Sequence, residues 1–278
     1  MTTSYRRLST RLLIYIILVV FALLSLYPIF FALNSSLKND YEYTNDKLAL
    51  PSSPTLDQYE SVLINYRMLR YMGNTILSVS IGTLLYMLIC SFAGFAFGQL
   101  RFRGRLLVFT LVLFLQIFPQ MVIASQVYQI ASKLGLLNTR TGIILVWCAY
   151  FAPFGTYIMT TYFVGIPREL LEAARIDGAG LFRQLFSVML PVAKPMLGTI
   201  GIIGALGMWN ELPFALLFLQ KQELRTLIQG IALMQGEYGL TVPTMSAAVL
   251  VSAFIPLSLF VVFQNHVTMG ATAGSVKG

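Results

Sequence analysis

Side chains that could carry out catalysis are scarce in this sequence. Its one histidine, His266, lies near the C-terminal end, so neither a histidine-based triad nor a multi-histidine metal site can be assembled. The two cysteines, Cys90 and Cys148, sit inside apolar runs and are predicted to be small core residues. The nearest approach to a phosphate-binding loop, Gly270 to Lys277, has the wrong spacing. We therefore expect no catalytic residue, no metal site and no cofactor in this chain.

One acidic residue, Glu211, lies within a long apolar stretch and follows Trp209 and Asn210. An ionisable group inside a membrane is costly, so it usually faces a cavity or a polar partner. It could accept hydrogen bonds from a polar solute, with Asn210 beside it and the ring face of Trp209 nearby. Alternatively, it makes an interhelical hydrogen bond or reaches the outer membrane surface. Three glutamines of another apolar stretch could likewise line a pathway for the solute or pack and hydrogen-bond between helices. They are Gln116, Gln120 and Gln126.

The composition indicates that these residues are positioned by membrane helices. The 278 residues are 57% hydrophobic and 11% charged, with a mean hydropathy of +0.75, whereas soluble domains carry roughly 25% charged residues. A bilayer core is crossed by about 20 apolar residues in a helix, and a barrel would show shorter alternating segments. The predicted fold class is therefore all-α and integral to the membrane, with one transmembrane domain over residues 1–278. Six spans are expected, at about 12–33, 71–97, 106–130, 141–164, 197–219 and 241–264.

The net charge of +8 indicates an orientation rather than a nucleic-acid partner. Lys and Arg favour the cytoplasmic side of a membrane, and the short basic connection 98–105 is the clearest example. We expect both termini to be cytoplasmic in a multi-pass plasma-membrane protein surrounded by the lipid bilayer. The segment 34–70 would then be external, where it could contact a partner or cap the helices. We favour the cap.

The connection 165–196 between the fourth and fifth spans is predicted to be a helical hairpin. Residues 168–176 place Leu170, Ala173 and Ala174 on one face, and Gly178 follows as a turn. A second apolar stripe consists of Phe182, Leu185, Phe186 and Met189. If the turn is left-handed, any side chain at position 178 would be strained. The hairpin could be a docking element for another protein or could lie on the lipid surface.

The spacing within this connection resembles the EAA loop of ABC-importer permeases. The pattern is carried by Glu172-Ala173-Ala174, Asp177-Gly178-Ala179 and Leu190-Pro191, and Val188 replaces the isoleucine of the family pattern. The chain is most similar to the carbohydrate branch, whose members include the maltose and glycerol-phosphate importers. Three further segments fit that branch, namely Asn74-Thr75, Trp209-Asn210-Glu211 and the tail 270–278.

This resemblance implies the permease subunit of an ATP-driven importer for a sugar or oligosaccharide in a bacterial or archaeal plasma membrane. It implies a second homologous permease subunit, two ATPase subunits that bind ATP and Mg, and an extracytoplasmic solute-binding protein. The ATPases would dock on the EAA loop, and the tail 270–278 would contact them or be disordered. Other readings are an importer of a glycerol-phosphate-like or other small polar solute, a stand-alone secondary carrier and a membrane-embedded enzyme.

Overall fold

A computed structural model describes the backbone of residues 2–273 and the side chains of residues 11–259 and 261. His266 and the tail 270–278 are therefore outside the residues whose side chains are described. Within the described chain all regular secondary structure is helical. The main helices are α1 (Thr2–Ser36), α2 (Met68–Gln99), α3 (Arg105–Phe114), α4 (Gln120–Lys133), α5 (Arg140–Val164), α6 (Glu169–Ile176), α7 (Leu181–Val192), α8 (Lys194–Trp209), α9 (Pro213–Phe218), α10 (Leu227–Tyr238) and α11 (Val242–Ala273).

Four of these helices, α1, α2, α5 and α11, are long and apolar enough to cross a membrane on their own. They coincide with the predicted first, second, fourth and sixth spans. Two bent pairs, α3 with α4 and α7 with α8, would raise the number to six if each pair is one span. The described chain therefore has four to six candidate spans by length and composition.

The predicted third span, 106–130, is not one straight helix. A short 3-10 turn, Leu115–Ile117, follows α3, and α4 then leaves at an angle of 106°. The break lies at Phe118, whose backbone is extended (φ −78°, ψ 118°) because the proline that follows disfavours a helical conformation there. The apolar pattern of 106–130 continues through this break, so the pattern did not reveal it.

The predicted fifth span, 197–219, is also interrupted. Helix α8 ends at Trp209 and α9 begins at Pro213, so residues 210–212 separate the two helices. Pro213 has no N–H to donate and is well suited to the first position of a helix. At its other end, α8 begins at Lys194 and makes an angle of 83° with α7. The bend lies at Ala193, between Pro191 and Pro195.

The chain forms two compact units, of which the larger comprises Arg70–Gly230 and Ile255–Gly278. In this unit α2 and α5 pack closely at glycines. A Cβ on Gly94 would lie 2.5 Å from the Cβ of Met159, and one on Gly98 would lie 2.8 Å from the Cβ of Phe163. Small residues allow such close packing of membrane helices. Both cysteines, Cys90 and Cys148, are buried as predicted.

The other unit comprises Met1–Leu69 and Ile231–Phe254. The Lys38 side chain is fully buried, and its ammonium donates to the carbonyls of Asp46 (2.9 Å) and Lys47 (3.3 Å). The Asn34 amide donates to the Ala49 carbonyl (3.0 Å), which also ties the segment after α1 back to that helix. These bonds show that the part of the segment 34–70 next to α1 is folded.

Two carboxylates hold the same segment together. The Ser52 backbone N–H lowers the pKa of Glu42, and the Ser52 hydroxyl adds to this effect. The backbone N–H groups of Ala49 and Leu48 lower the pKa of Asp46. Each carboxylate is therefore stabilised in its charged form by donors from a neighbouring turn.

Candidate functional site

The first helix of the 165–196 connection, α6, ends in a complete Schellman motif. The Gly178 N–H donates to the Arg175 carbonyl (2.9 Å), and the Ala179 N–H donates to the Ala174 carbonyl (2.9 Å). Gly178 has φ +79°, so the turn is left-handed. A side chain with a Cβ is strained in this conformation, by roughly 1–2 kcal/mol. Gly178 therefore fixes the direction in which the chain leaves α6.

A residue that the sequence did not single out, Gln184, supports this turn. Its side chain is buried and its amide donates to the Ala179 carbonyl at 2.7 Å. The bond links α7 directly to the residue after Gly178. The signal was weak because a glutamine in an amphipathic helix is ordinarily a surface residue.

The hairpin rests on the helices of the larger unit through its buried side chains. Leu171 of α6 and Leu185 and Met189 of α7 are almost fully buried. Phe182 and Phe186 contact the ring of Phe92 on α2 in edge-to-face arrangements, with centroids 6.2 and 5.7 Å apart. A movement of the hairpin would therefore be transmitted to α2.

The outward face of α6 includes the apolar residues that the sequence places on one face. Leu170 and Ala173 are exposed and Ala174 is half-buried, whereas Leu171 is buried. Ile176 is 86% exposed, although it is a large apolar residue. Most residues of the predicted docking pattern are exposed. The exposed ones are Glu172, Ala173, Asp177, Gly178 and Pro191, and the half-buried ones are Ala174, Ala179 and Leu190.

At the break between α8 and α9, Glu211 is buried and accepts four hydrogen bonds. The Gln120 amide donates at 2.6 Å and the Trp147 indole at 2.8 Å. The backbone N–H groups of Phe214 and Ala215, at the start of α9, donate at 2.7 and 3.1 Å. A buried carboxylate is stable only when it is hydrogen-bonded in this way. The interhelical alternative for Glu211 is therefore the one seen here.

The Glu211 cluster joins three helices. Gln120 begins α4 directly after Pro119, Trp147 belongs to α5, and the capped N–H groups begin α9. The structure thus brings Glu211 and Gln120 together, as two of the predicted pathway residues. Trp147 was not predicted, because a tryptophan in an apolar run is most often a core residue.

The other predicted pathway residues are not part of this cluster. Gln116, Gln126 and Asn210 are exposed, and the Asn210 amide donates back to the Leu206 carbonyl at 2.9 Å. Trp209 is buried, and its indole N–H has no acceptor among the described residues. Of the predicted set, Gln116, Gln126 and Asn210 are thus the exposed polar side chains.

Asn74 and Thr75, near the start of α2, bind the chain around α10. The Asn74 amide donates to the carbonyls of Glu223 (2.8 Å) and Arg225 (3.1 Å), and Arg140 donates to the Asn74 side-chain oxygen (2.9 Å). The Thr75 hydroxyl accepts from the Leu227 N–H at 2.7 Å. These two residues hold the segment before α10 against α2 and α5.

Comparison with known proteins identifies the family. The family described as "Binding-protein-dependent transport system inner membrane component" matches residues 90–268, which include α3 to α10 and therefore the hairpin. The chain belongs to this family of ABC-importer permeases and is a component of the inner membrane. The resemblance based on the spacing around Gly178 is thereby confirmed.

Curated relatives extend the similarity over nearly the whole chain. The sulfoquinovosyl glycerol permease of Agrobacterium fabrum is 34% identical over 254 residues, which are 91% of this chain and 89% of that protein. The trehalose/maltose permease of Thermococcus litoralis is 32% identical over 272 residues, which are 96% and 97% of the two chains. Both are permease proteins of transport systems for sugar-containing solutes by their names.

A solved structure has the same fold. A bacterial ABC transporter involved in the import of the acidic polysaccharide alginate contains a chain with a TM-score of 0.79 and 26% identity. The match covers 91% of this chain and 95% of that chain. A further alginate transporter structure, with its periplasmic binding protein bound, matches at a TM-score of 0.71 and 17% identity, which shows the fold alone.

Proposed function

We propose that this chain is one of two permease subunits of an ABC importer that carries a sugar or oligosaccharide. The observation that carries the proposal is the family match over residues 90–268 together with sugar-transport relatives that align over more than nine tenths of the chain. An extracytoplasmic binding protein would deliver the sugar. Two cytoplasmic ATPase subunits would bind ATP and Mg and supply the energy. A glycerol-phosphate-like solute is less well supported, because the relatives' names point to sugars.

In this proposal the chain crosses the membrane six times, with both termini in the cytoplasm. The third span is the bent pair α3 and α4, and the fifth is α8 with its continuation α9. Broken helices are tolerated in a membrane where neighbouring protein groups satisfy the freed backbone N–H and carbonyl groups. The Glu211 carboxylate does this for two N–H groups at the start of α9.

The hairpin of α6 and α7 is proposed as the docking element for the ATPase. The outward face of α6, with Glu172, Ala173 and Ile176, would occupy a cleft of that subunit. When ATP closes the ATPase pair, α6 would move with it, and the buried Leu171 and Met189 would transmit the movement to the membrane helices. Gly178 and Gln184 make the hairpin stiff enough for this task.

Sugar contact is proposed for exposed polar groups near the breaks. Asn210 and Gln116 are candidates to contact sugar hydroxyls, while Glu211 would act as a positioning residue that keeps α4, α5 and α9 together. The single domain over 1–278 would thus form one half of the translocation pathway, and the partner permease would form the other half.

Co-purification tests the proposal. The tagged chain, expressed with the genes that flank its own, should bring down an ATPase and a homologous permease, and the binding protein with its sugar should stimulate ATP hydrolysis. Reconstituted chain that transports a solute without any ATPase would contradict the proposal and support a secondary carrier.

A further inference from the structure

A basic cavity of about 490 Å³ lies between the 98–105 connection and α6. Arg101 contributes to one wall, and Arg168 and Arg175 to the other. Glu172 is the only acidic residue in the lining, so the cavity carries an excess of positive charge. No hydrogen bond or ion pair joins the three arginine side chains to another described residue. Like charges that converge on one space are stabilised by an anion between them.

A second cavity, of about 700 Å³, also borders this connection, through Phe102, Gly104 and Arg105. Its lining is largely apolar and includes Phe97, Leu107 and Val164 from three different helices. Arg105 is the one charged residue of this lining. Phe102 belongs to the lining of both cavities, so the basic space and the apolar space are adjacent.

The chemistry of the two cavities together fits a molecule with a phosphate at one end and hydrocarbon at the other. Basic pockets between membrane helices bind anionic lipid headgroups. An acidic side chain of a partner protein or a free phosphate would use the basic cavity and leave the apolar one unexplained. We propose that the two cavities bind one anionic phospholipid, with its phosphate among Arg101, Arg168 and Arg175 and an acyl chain in the apolar cavity.

Such a lipid would connect the hairpin to the membrane helices. Two of the arginines, Arg168 and Arg175, lie at the two ends of α6, whereas Arg101 lies in the connection that follows α2. A phosphate between them holds α6 against that connection through charge-assisted hydrogen bonds. The proposal concerns lipid binding and does not depend on ATPase docking or on the transported solute.

Native mass spectrometry of the purified full-length chain tests the proposal. The chain is titrated with phosphatidylglycerol or with phosphatidylcholine of the same acyl chains, and we expect it to retain the anionic lipid preferentially. Each arginine is worth roughly a fivefold change in affinity, so Arg168→Gln/Arg175→Gln should weaken phosphatidylglycerol binding about 25-fold. Arg103→Gln is the matched control, because Arg103 lies in the same connection but lines neither cavity.

Competition identifies the source of the phosphate. Inorganic phosphate and glycerophosphoglycerol, which is the headgroup without acyl chains, should displace the lipid poorly. Displacement at concentrations equal to that of the lipid would overturn the proposal in favour of a free-anion site. Equal retention of the two lipids, or an equal loss in Arg103→Gln, would overturn it in favour of unspecific binding. Melting curves in detergent without added lipid establish that all variants are folded.

Discussion

Glu211 is the residue whose role the structure changes most. Its carboxylate has four donors within hydrogen-bond distance, which leaves little capacity to receive a sugar hydroxyl. An acid in an apolar run could be identified from the sequence. Its partners could not, because Trp147 and Gln120 approach it only after α4 and α9 turn away from their neighbouring helices.

Replacement of Glu211 should therefore affect stability more than sugar affinity. Glu211→Gln keeps one acceptor oxygen but loses the charge, and its NH2 group would face one N–H of α9 and one side-chain donor, either Gln120 or Trp147. Hydrogen bonds to charged groups contribute roughly 1.5–3 kcal/mol each, so we expect a loss of about 2–4 kcal/mol in the free energy of unfolding. Because less folded transporter would be present, uptake assays should show a lower maximal rate with an unchanged apparent affinity for the sugar.

The matched comparison is Asn210→Ala, which alters an exposed neighbour of Glu211. This variant should fold normally and weaken the apparent affinity for the sugar. Normal stability of Glu211→Gln combined with a weakened affinity would show that Glu211 contacts the sugar directly.

At the scale of elements, the contact between α2 and α5 depends on glycine. Gly94→Val should destabilise the protein by about 1–3 kcal/mol, because the new side chain would overlap Met159. Gly73→Val is the control, since a Cβ on Gly73, in the same helix, meets no atom within 4 Å. Thermal unfolding in detergent compares the two, and equal melting temperatures would contradict close packing at Gly94.

The fold of the segment after α1 depends on the buried ammonium group of Lys38. Lys38→Ala would leave the carbonyls of Asp46 and Lys47 without their donor, which costs about 1–3 kcal/mol for a buried group. We expect limited proteolysis to cleave this segment faster than in the parent protein. Lys47→Ala, which removes an exposed lysine from the same segment, should leave the cleavage rate unchanged. Equal cleavage rates in the two variants would show that the Lys38 ammonium does not hold this segment together.

The sequence was most informative about elements with long, simple patterns. The apolar lengths predicted α1, α2, α5 and α11, and the spacing around Gly178 predicted the hairpin and its glycine turn. The breaks at Phe118 and at residues 210–212 were missed, because hydropathy does not distinguish a straight helix from two helices joined at a proline. The inward-facing Leu171 was missed because α6 is too short for a periodic pattern to decide which leucine is buried.

At the scale of the whole molecule, composition and charge predicted a membrane protein, and the family match supports an importer subunit. The basic residues have two proposed roles, in membrane orientation and in anion binding. In the proposed topology Arg101, Arg103 and Arg105 orient the chain, while Arg101, Arg168 and Arg175 surround the basic cavity beside α6. No single sequence could specify which sugar is carried, because in the proposed assembly the binding protein and the partner permease share that choice.

The hairpin is proposed to couple ATP hydrolysis to transport, and the amount of sugar imported per ATP hydrolysed measures this coupling directly. In proteoliposomes with binding protein, Gly178→Val should lower this ratio roughly tenfold, in line with a cost of about 1–2 kcal/mol for a side chain at positive φ. Glu172→Lys should lower it as well. Gly180→Val is the control, since Gly180 has φ −67° and no neighbouring atom within 4 Å. An unchanged ratio in both Gly178→Val and Glu172→Lys would show that the hairpin does not couple ATP hydrolysis to transport.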